Sequence, residues 1–409
     1  MKILRAYKTE LDLNDKQKTS CAQHAGAARW AYNWGLSRSI AAYEAGEKHP
    51  TAIALHKELN VLKKTEIPWM YAVSKTAPQE ALRNLDKAFA HFFRRAKLKK
   101  EGKNRGKVGF PKFKSKKKGL GSFQMWGSIH VYRGEIQLPR MGRLKLKESN
   151  YIPIDGIRIL SATVSEKAGR WFVSLQCETE IPDPVSTEKG ICGVDLGIKT
   201  LAVVSDGTTF ENPKALRSSL DKIKRLQRVV SRRKIGGNNR KKASRKLAKA
   251  HLKAANIRKN TLHQITSHLA KTKSVVMIEN LNVSGMLKNH KLAQAIADIG
   301  FYEFKRQMLY KGDWYGCRVM LADRFYPSSK TCSRCGYVKT ELGLGERTFV
   351  CEGCGSVMDR DLNAALNLEH LIISTGSSSE CKVCREDVRP PSEMAALGEA
   401  ETRHQSVLV

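Results

Sequence analysis

Two groups of residues in this chain have types and spacings that carry chemistry. The first is Cys332-x2-Cys335-x15-Cys351-x2-Cys354. Two CxxC pairs at this separation supply four thiolates to one tetrahedral zinc ion. Four protein ligands leave no open coordination position, so such a zinc is structural rather than catalytic. Gly336 and Gly355 each follow a pair, where a tight turn favours a residue without a Cβ. Metal-free thiols or disulfides are the alternatives. Cys381-x2-Cys384 stands alone in a polar tail, and its signal for a metal is much weaker.

The second group is acidic: Asp195 in "CGVDLGIKTLAVV", Glu279 in "SVVMIENL", and Asp361 at the head of "DLNAALNL". An unpaired carboxylate in an apolar strand carries a large desolvation penalty. A basic partner or a metal ion relieves it, and for any one acid an ordinary salt bridge stays open. Taken together, a strand and acid before a Gly turn, a second apolar strand with Glu, and a helix-leading Asp can converge at one sheet edge. Three hard oxygen ligands suit Mg²⁺ or Mn²⁺. Two such ions about 3.5–4 Å apart serve phosphodiester cleavage. The pattern is a nuclease site of the ribonuclease-H type, with Asp195, Glu279 and Asp361 as catalytic and metal-binding residues. Asp359 competes for the third role. Asp361 is favoured because the amide end of its helix can hold a carboxylate. Gly193 and Gly197 read as places where backbone approaches a substrate phosphate. Asp206 and Asp323 read as turn and strand-end residues, and His263 and His268 as a solvated face or phosphate contacts.

The elements that must position these groups follow from periodicity. "ILRAYKTEL" alternates as a half-buried strand does, and residues from about 14 to 93 turn helical, including "QEALRNLDKAFAHFFRRA". Residues 94–119 hold thirteen Lys/Arg and one acid with Gly and Pro punctuation, which predicts a basic loop. Short strands with Gly turns follow, and "EIPDPVSTEKG" reads as a linker into a second domain. Residues 214–273 hold twenty Lys/Arg and one acid, Asp221, around apolar stripes at Leu216, Leu220, Ile223 and Leu226 and at Leu262, Ile265 and Leu269. "IGGNN" splits them into a predicted hairpin of two basic helices. "SVVMIENL" reads as a buried strand, and one helix is predicted over about 291–315. The tail after Ser374 is rich in Ser, Glu and Pro and reads as disordered.

The balance of 73 Lys+Arg against 39 Asp+Glu, formally +34 over 409 residues, repels itself unless a polyanion offsets it. Nucleic acid is the expected partner. No run approaches eighteen apolar residues, and the start lacks the apolar core of a signal peptide, so a cytoplasmic protein with reduced cysteines is expected.

"GVDLGIKTLAVVSDG", "VVMIENL", "FYPSSKTCSRCG", "CEGCG" and "DRDLNAALN", in this order, resemble the TnpB family of transposon-encoded, RNA-guided DNA endonucleases related to type V CRISPR effectors. "GFPKFKSK", "ALRNLDKAFAHFF" and "CREDVRPP" extend the resemblance over nearly the whole chain. It implies an α+β multidomain protein. A wedge β-barrel would occupy 1–13 and 98–182, with a helical recognition insert at 14–97. A RuvC-like α/β nuclease domain would occupy 183–330 and 356–373, with a zinc ribbon inserted at 331–355; 374–409 is the tail. The carboxylates Asp195, Glu279 and Asp361 and the four zinc-ligand cysteines match the family's motifs. Lys75 and Gln79 fall where the family contacts the short motif beside its DNA target, although the stretch departs at Thr76 and Ala77. Arg232, Arg233 and Lys234, in the second basic block, are further nucleic-acid candidates. The implied cofactors are Mg²⁺ or Mn²⁺ and one structural Zn²⁺. The implied partners are a guide RNA and target DNA, with one protein per RNA and no membrane. The competing readings are a non-cleaving zinc-ribbon nucleic-acid binder or RNA-guided repressor, and an RNA-independent transposase or resolvase.

Overall fold

The computed structural model describes residues 1–103, 106–183, 189–343 and 345–375. They fall into two compact units with the boundary after Ile181. The tail, with Cys381 and Cys384 and the disorder expected there, lies outside the described residues.

The first unit opens with β1 (Lys2–Asp12), then three helices, α1 (Asp15–Glu44), α2 (Ala52–Thr65) and α3 (Thr76–Lys100). Six strands follow: β2 (Ser122–Met125), β3 (His130–Tyr132), β4 (Glu135–Leu138), β5 (Gly142–Leu146), β6 (Ile157–Lys167) and β7 (Arg170–Glu180). They form one sheet in the order β2-β6-β7-β1-β5-β4-β3. The alternating burial of β7 directs Trp171, Val173, Leu175 and Cys177 into the core. Asn14 and Gln17 form a reciprocal capping box that starts α1. On α1, Gly35 leaves room for Leu82 and Leu85 of α3 and Leu55 of α2; a Cβ there would meet them at 2.7, 3.0 and 3.4 Å. One apolar cluster, including Leu36, Leu82, Met125 and Val173, unites helices and sheet.

Part of the expected basic loop is helical. α3 begins at Thr76 and carries Arg94, Arg95, Lys97, Lys99 and Lys100 on its last turns. Lys and Arg are good helix formers, so charge did not stop the helix. Further along, the Asn33 side chain of α1 accepts from Lys114 N at 2.8 Å and donates to Lys114 O at 2.9 Å, which ties that segment to the helix.

The second unit contains β8 (Ile191–Asp195), β9 (Thr200–Val204), β10 (Thr209–Glu211), α4 (Ala215–Ser231) and α5 (Asn238–Thr272). Then come β11 (Val275–Ile278), α6 (Val283–Met286), α7 (Ala293–Ile299), α8 (Phe301–Tyr315) and β12 (Arg318–Leu321). β13 (Thr348–Val350), β14 (Val357–Asp359) and α9 (Arg360–Thr375) close it. The mixed sheet runs β10-β9-β8-β11-β12, with β8, β11 and β12 parallel to one another and β9 antiparallel to β8. Parallel neighbours need a long crossover, which the α4–α5 hairpin supplies between β8 and β11. Ile223 of α4 and Leu262, Ile265 and Leu269 of α5 are buried. The single helix expected over 291–315 is two, broken at Gly300, whose φ of +80° ends one turn and starts the next. Among the described residues no helix is long and apolar enough to cross a membrane.

Helix α9 lies directly on β8. A Cβ on Gly193 would collide with Ala365 O and would sit 2.5 Å from Glu369 N and 2.7 Å from Leu368 Cβ. Gly193 therefore admits the helix, not a substrate phosphate. Because two of those obstacles are backbone, Gly193→Ala is expected to destabilise this unit by about 1–3 kcal/mol. Denaturant unfolding checks this; an unchanged midpoint would mean that the contact is slack.

Candidate active site and cysteine cluster

Asp195 is the last residue of β8, and Glu279 is the first after β11. The strands are parallel with Ile278 opposite Val194, so the next pair places Glu279 beside Asp195. In open α/β sheets this carboxyl edge is where ligands bind. Asp361 arrives from α9, and its Oδ2 lies 4.0 Å from where a Cβ on Gly197 would stand. Gly197 itself turns tightly beneath Thr200, whose carbonyl would be 2.7 Å from that Cβ. This packing is by itself a reason for the glycine.

Asp195 is buried, and burial followed by the charges of Glu279 and Asp361 holds its carboxyl well above the ordinary range. Among the described residues its carboxylate makes no hydrogen bond or ion pair, and the charge of nearby Arg360 offsets the two like charges only in part. Burial also raises Glu279, against the opposing effect of a 2.7 Å hydrogen bond donated by Ser328 Oγ to Glu279 Oε1. Arg347 Nη1 stands 3.7 Å from Asp361 Oδ1, half exposed, and one such pair does not balance three acids. Uncompensated hard oxygens on adjacent strand ends suit a divalent cation. The trio is nonetheless looser than the cysteine group: among the described residues, only the four cysteines form a metal-type cluster with ligand atoms all within 4.8 Å of one another.

Asp359 has a different task. Its Oδ1 accepts from Asp361 N at 2.9 Å and Leu362 N at 3.0 Å, so it caps α9. The helix amides expected to hold the Asp361 carboxylate are thus occupied by Asp359, and the Asp361 carboxylate instead stands near Arg347 and close enough to Asp195 for its charge to act there. Asp206 sits in a turn, bonded to Thr208 N and to Lys273 Nζ at 2.7 Å, and Asp323 accepts from Phe325 N. His268 is exposed, but His263 is half-buried, and burial followed by nearby lysines pushes it down to about 4. His263 is therefore not a solvated cation.

The four cysteine sulfurs approach in cross pairs, Cys332 to Cys354 at 3.8 Å and Cys335 to Cys351 at 3.5 Å. Tetrahedral zinc–thiolate bonds of about 2.3 Å place sulfurs about 3.8 Å apart, so the group fits zinc. The two knuckles repeat one turn: Gly336 N donates to Cys332 O and Gly355 N to Cys351 O, with φ of +75° and +69°. Around them the apolar core is small, with Phe349 and Met358 its main side chains besides the cysteines.

A family described as "Probable transposase" (OrfB_IS605) matches residues 174–290, and one described as "Cas12f1-like, TNB domain" matches 301–368. A Streptomyces pristinaespiralis protein named "Putative RNA-guided DNA endonuclease" is 35% identical over 98% of this chain and 96% of its own length. The Escherichia coli K12 protein "Putative RNA-guided DNA endonuclease InsQ" is 30% identical over 92% and 95%. The chain belongs to the OrfB_IS605, TnpB-like family. "CRISPR-associated endodeoxyribonuclease Cas12f1" of Sulfoacidibacillus thermotolerans is 24% identical over half of each chain. A "Helix-turn-helix domain" model matches residues 1–48, but in this TnpB-like chain those residues form β1 and the single helix α1. The TNB match is wider than the 331–355 ribbon, taking in α8, β12 and much of α9.

The nucleic-acid candidates of this TnpB-like chain occupy two units. Lys75 is exposed at the start of α3, with Gln79 half-buried a turn later. Arg232, Arg233 and Lys234 are exposed at the tip of the α4–α5 hairpin, where Arg240 Nη1 donates to Val230 O and Arg233 O. Sequence reasoning missed Ser328, Asn363 and Asn367. Asn363 and Asn367 are four apart on a helix, unusually polar for buried positions at 0% and 2% exposure, and that was the available signal.

Proposed function

We propose that this chain is an RNA-guided DNA endonuclease of a transposable element. It binds a guide RNA, one protein per RNA, and cuts DNA next to a short adjacent motif in the prokaryotic cytosol. The observation that carries this reading is that Asp195 and Glu279 share one sheet edge, with Asp361 of α9 near enough for its charge to act on Asp195, in a chain alike, along nearly its full length, to proteins named as such endonucleases. Residues 183–330 and 356–373 are a RuvC-like nuclease domain. The ribbon at 331–355 holds one Zn²⁺ on Cys332, Cys335, Cys351 and Cys354. Residues 1–13 and 98–182 are a wedge β-barrel around the helical insert at 14–97.

The three carboxylates hold Mg²⁺ or Mn²⁺. When bound, the metal supplies an activated water and charge stabilisation at the leaving oxygen. Asp195 contributes from a buried edge from which bulk water is largely excluded. Glu279 is steadied by Ser328, and Asp361 is presented by the capped start of α9. Exposed lysines and arginines of the α4–α5 hairpin contact phosphates, while base pairing with the guide supplies most of the target specificity. Lys75 and Gln79 read the adjacent motif.

The test begins with the RNA. The purified protein is expected to carry a defined RNA whose affinity falls steeply with salt. Reprogramming its guide end redirects cleavage to a matching DNA. Cutting of bare DNA without RNA supports a resolvase instead, and guide-directed binding without cutting supports a repressor.

A further inference from the structure

We propose that Ser328 and Asn367 are positioning residues, which hold Glu279 in register with the helix that carries Asp361. The inference rests on the nuclease reading for what the carboxylates bind, but its geometry is independent of that reading. Glu279 lies just beyond the end of β11 on a side chain with three rotatable bonds. Nothing in the strand itself fixes its carboxylate. Ser328, 3% exposed, donates its hydroxyl to Oε1 at 2.7 Å, a short charge-assisted bond that leaves Oε2 for a ligand.

Ser328 in turn is placed by α9. Asn367 Nδ2 donates to Ser328 O at 2.8 Å and to Thr331 O at 2.6 Å. Thr331 doubles back on Pro327 O through its backbone N–H at 3.0 Å and its hydroxyl at 2.9 Å, closing the turn. One helical turn earlier, Asn363 Nδ2 reaches the same Thr331 O at 2.7 Å, while its Oδ1 accepts from Ser333 N at 2.9 Å. Asparagine suits this place because one planar amide offers two donors on one side, matched here to two carbonyls. Leucine would leave those carbonyls unpaired, and aspartate would oppose them. Asparagine is also a poorer helix former than alanine or leucine, so helix propensity does not account for it. The result is a chain of contacts from Glu279 through Ser328, the 327–331 turn and Asn367 to α9, the helix that bears Asp361. Two acids from distant parts of the sequence are thereby registered on one another. The same turn leads into Cys332, so it is also the root of the cysteine cluster.

The decisive measurement is Mn²⁺ binding to the full chain stripped of nucleic acid, followed by the electron paramagnetic resonance of free Mn²⁺. Only binding that disappears in Asp195→Ala is counted. In parallel, the Mg²⁺ concentration for half-maximal cleavage is measured on guide-loaded protein. Ser328→Ala is expected to weaken both by about 10–100-fold, the usual effect of removing a hydrogen-bond partner behind a metal ligand. Its melting temperature should stay near wild type. Ser328→Thr keeps the hydroxyl and should stay within a few-fold of wild type. Asn367→Ala should shift the same midpoints, and combining it with Ser328→Ala should add little, since both act through one chain of contacts. Unchanged Mn²⁺ binding in Ser328→Ala overturns the proposal. So does an equal loss in the alanine and threonine variants, which would mark a packing effect. A wild type that binds Mn²⁺ through Asp195 but never cuts DNA sinks only the nuclease reading. A wild type with no Asp195-dependent Mn²⁺ site sinks both.

Discussion

Asp195→Ala is expected to lower guide-directed cleavage by about a thousandfold or more, which corresponds to about 4 kcal/mol of lost transition-state stabilisation. RNA affinity should stay within a few-fold of wild type. The asymmetry follows from where the residue sits. Asp195 is 9% exposed at the end of an interior strand, flanked by β9 and β11, whereas the candidate phosphate contacts are exposed side chains elsewhere. A second consequence separates this residue from one kept for stability. Without a cation, Asp195 is buried beside two like charges, so its presence is unfavourable to folding. The near-isosteric Asp195→Asn should therefore raise the melting temperature of metal-free protein while removing cleavage, the trade-off expected of an active-site charge. Both readouts use the same preparation: a melting curve in chelator, and cleavage of a matched DNA in Mg²⁺. Cleavage retained by either variant would rule out the proposed site.

The two parallel strands were legible because β8 and β11 are short apolar runs that each end in an acid, and such runs tolerate few other placements. Their register was not legible, since it depends on pairing across a crossover of two long helices. The cysteine cluster was legible from spacing alone, because two CxxC pairs at this separation can bring all four sulfurs to one point. Gly193 was misread: its reason is the backbone of α9, some 170 residues later, and a glycine required by distant packing looks the same in sequence as one required by a ligand. Asp359 and Asp361 could be told apart only partly. Both sit at a helix start, and the capping bonds that occupy Asp359 depend on local backbone geometry. The basic residues on the last turns of α3 misled in the opposite sense: charge density suggested a loop, whereas Lys and Arg propagate a helix readily once its other face is packed. Ser328 left almost no trace, and Asn367 only its four-residue spacing from Asn363, since their partners are backbone carbonyls and one carboxylate, none adjacent in sequence.

Stripping zinc should abolish cleavage even when Mg²⁺ is restored in excess, and re-adding zinc should recover it. The argument starts from how little else holds the cysteine segment. Its apolar core is confined to Phe349, Met358, Leu342 and the cysteines themselves. A structural zinc in so small a module supplies on the order of 10–16 kcal/mol of apparent binding energy, most of which is folding energy. The segment is not an isolated appendage. Arg360, the first residue of α9, donates from Nη1 to Gly343 O at 3.0 Å, and its backbone N–H donates to Arg347 O at 2.7 Å. On the other side, Asn363 and Asn367 hold the turn before Cys332. Losing the zinc therefore loosens both flanks of Asp361 and the turn that carries Ser328, although no cysteine touches an acid. Metal analysis of the purified protein should find one zinc per chain. Cys351→Ser, which removes a buried ligand, should lose that zinc and at least about tenfold in cleavage rate, with a new low-temperature step in the unfolding curve. Protein freed of zinc that still cleaves at the wild-type rate in Mg²⁺ would show that the cysteine cluster and the carboxylate site are mechanically separate, despite lying seven residues apart in the sequence between Cys354 and Asp361.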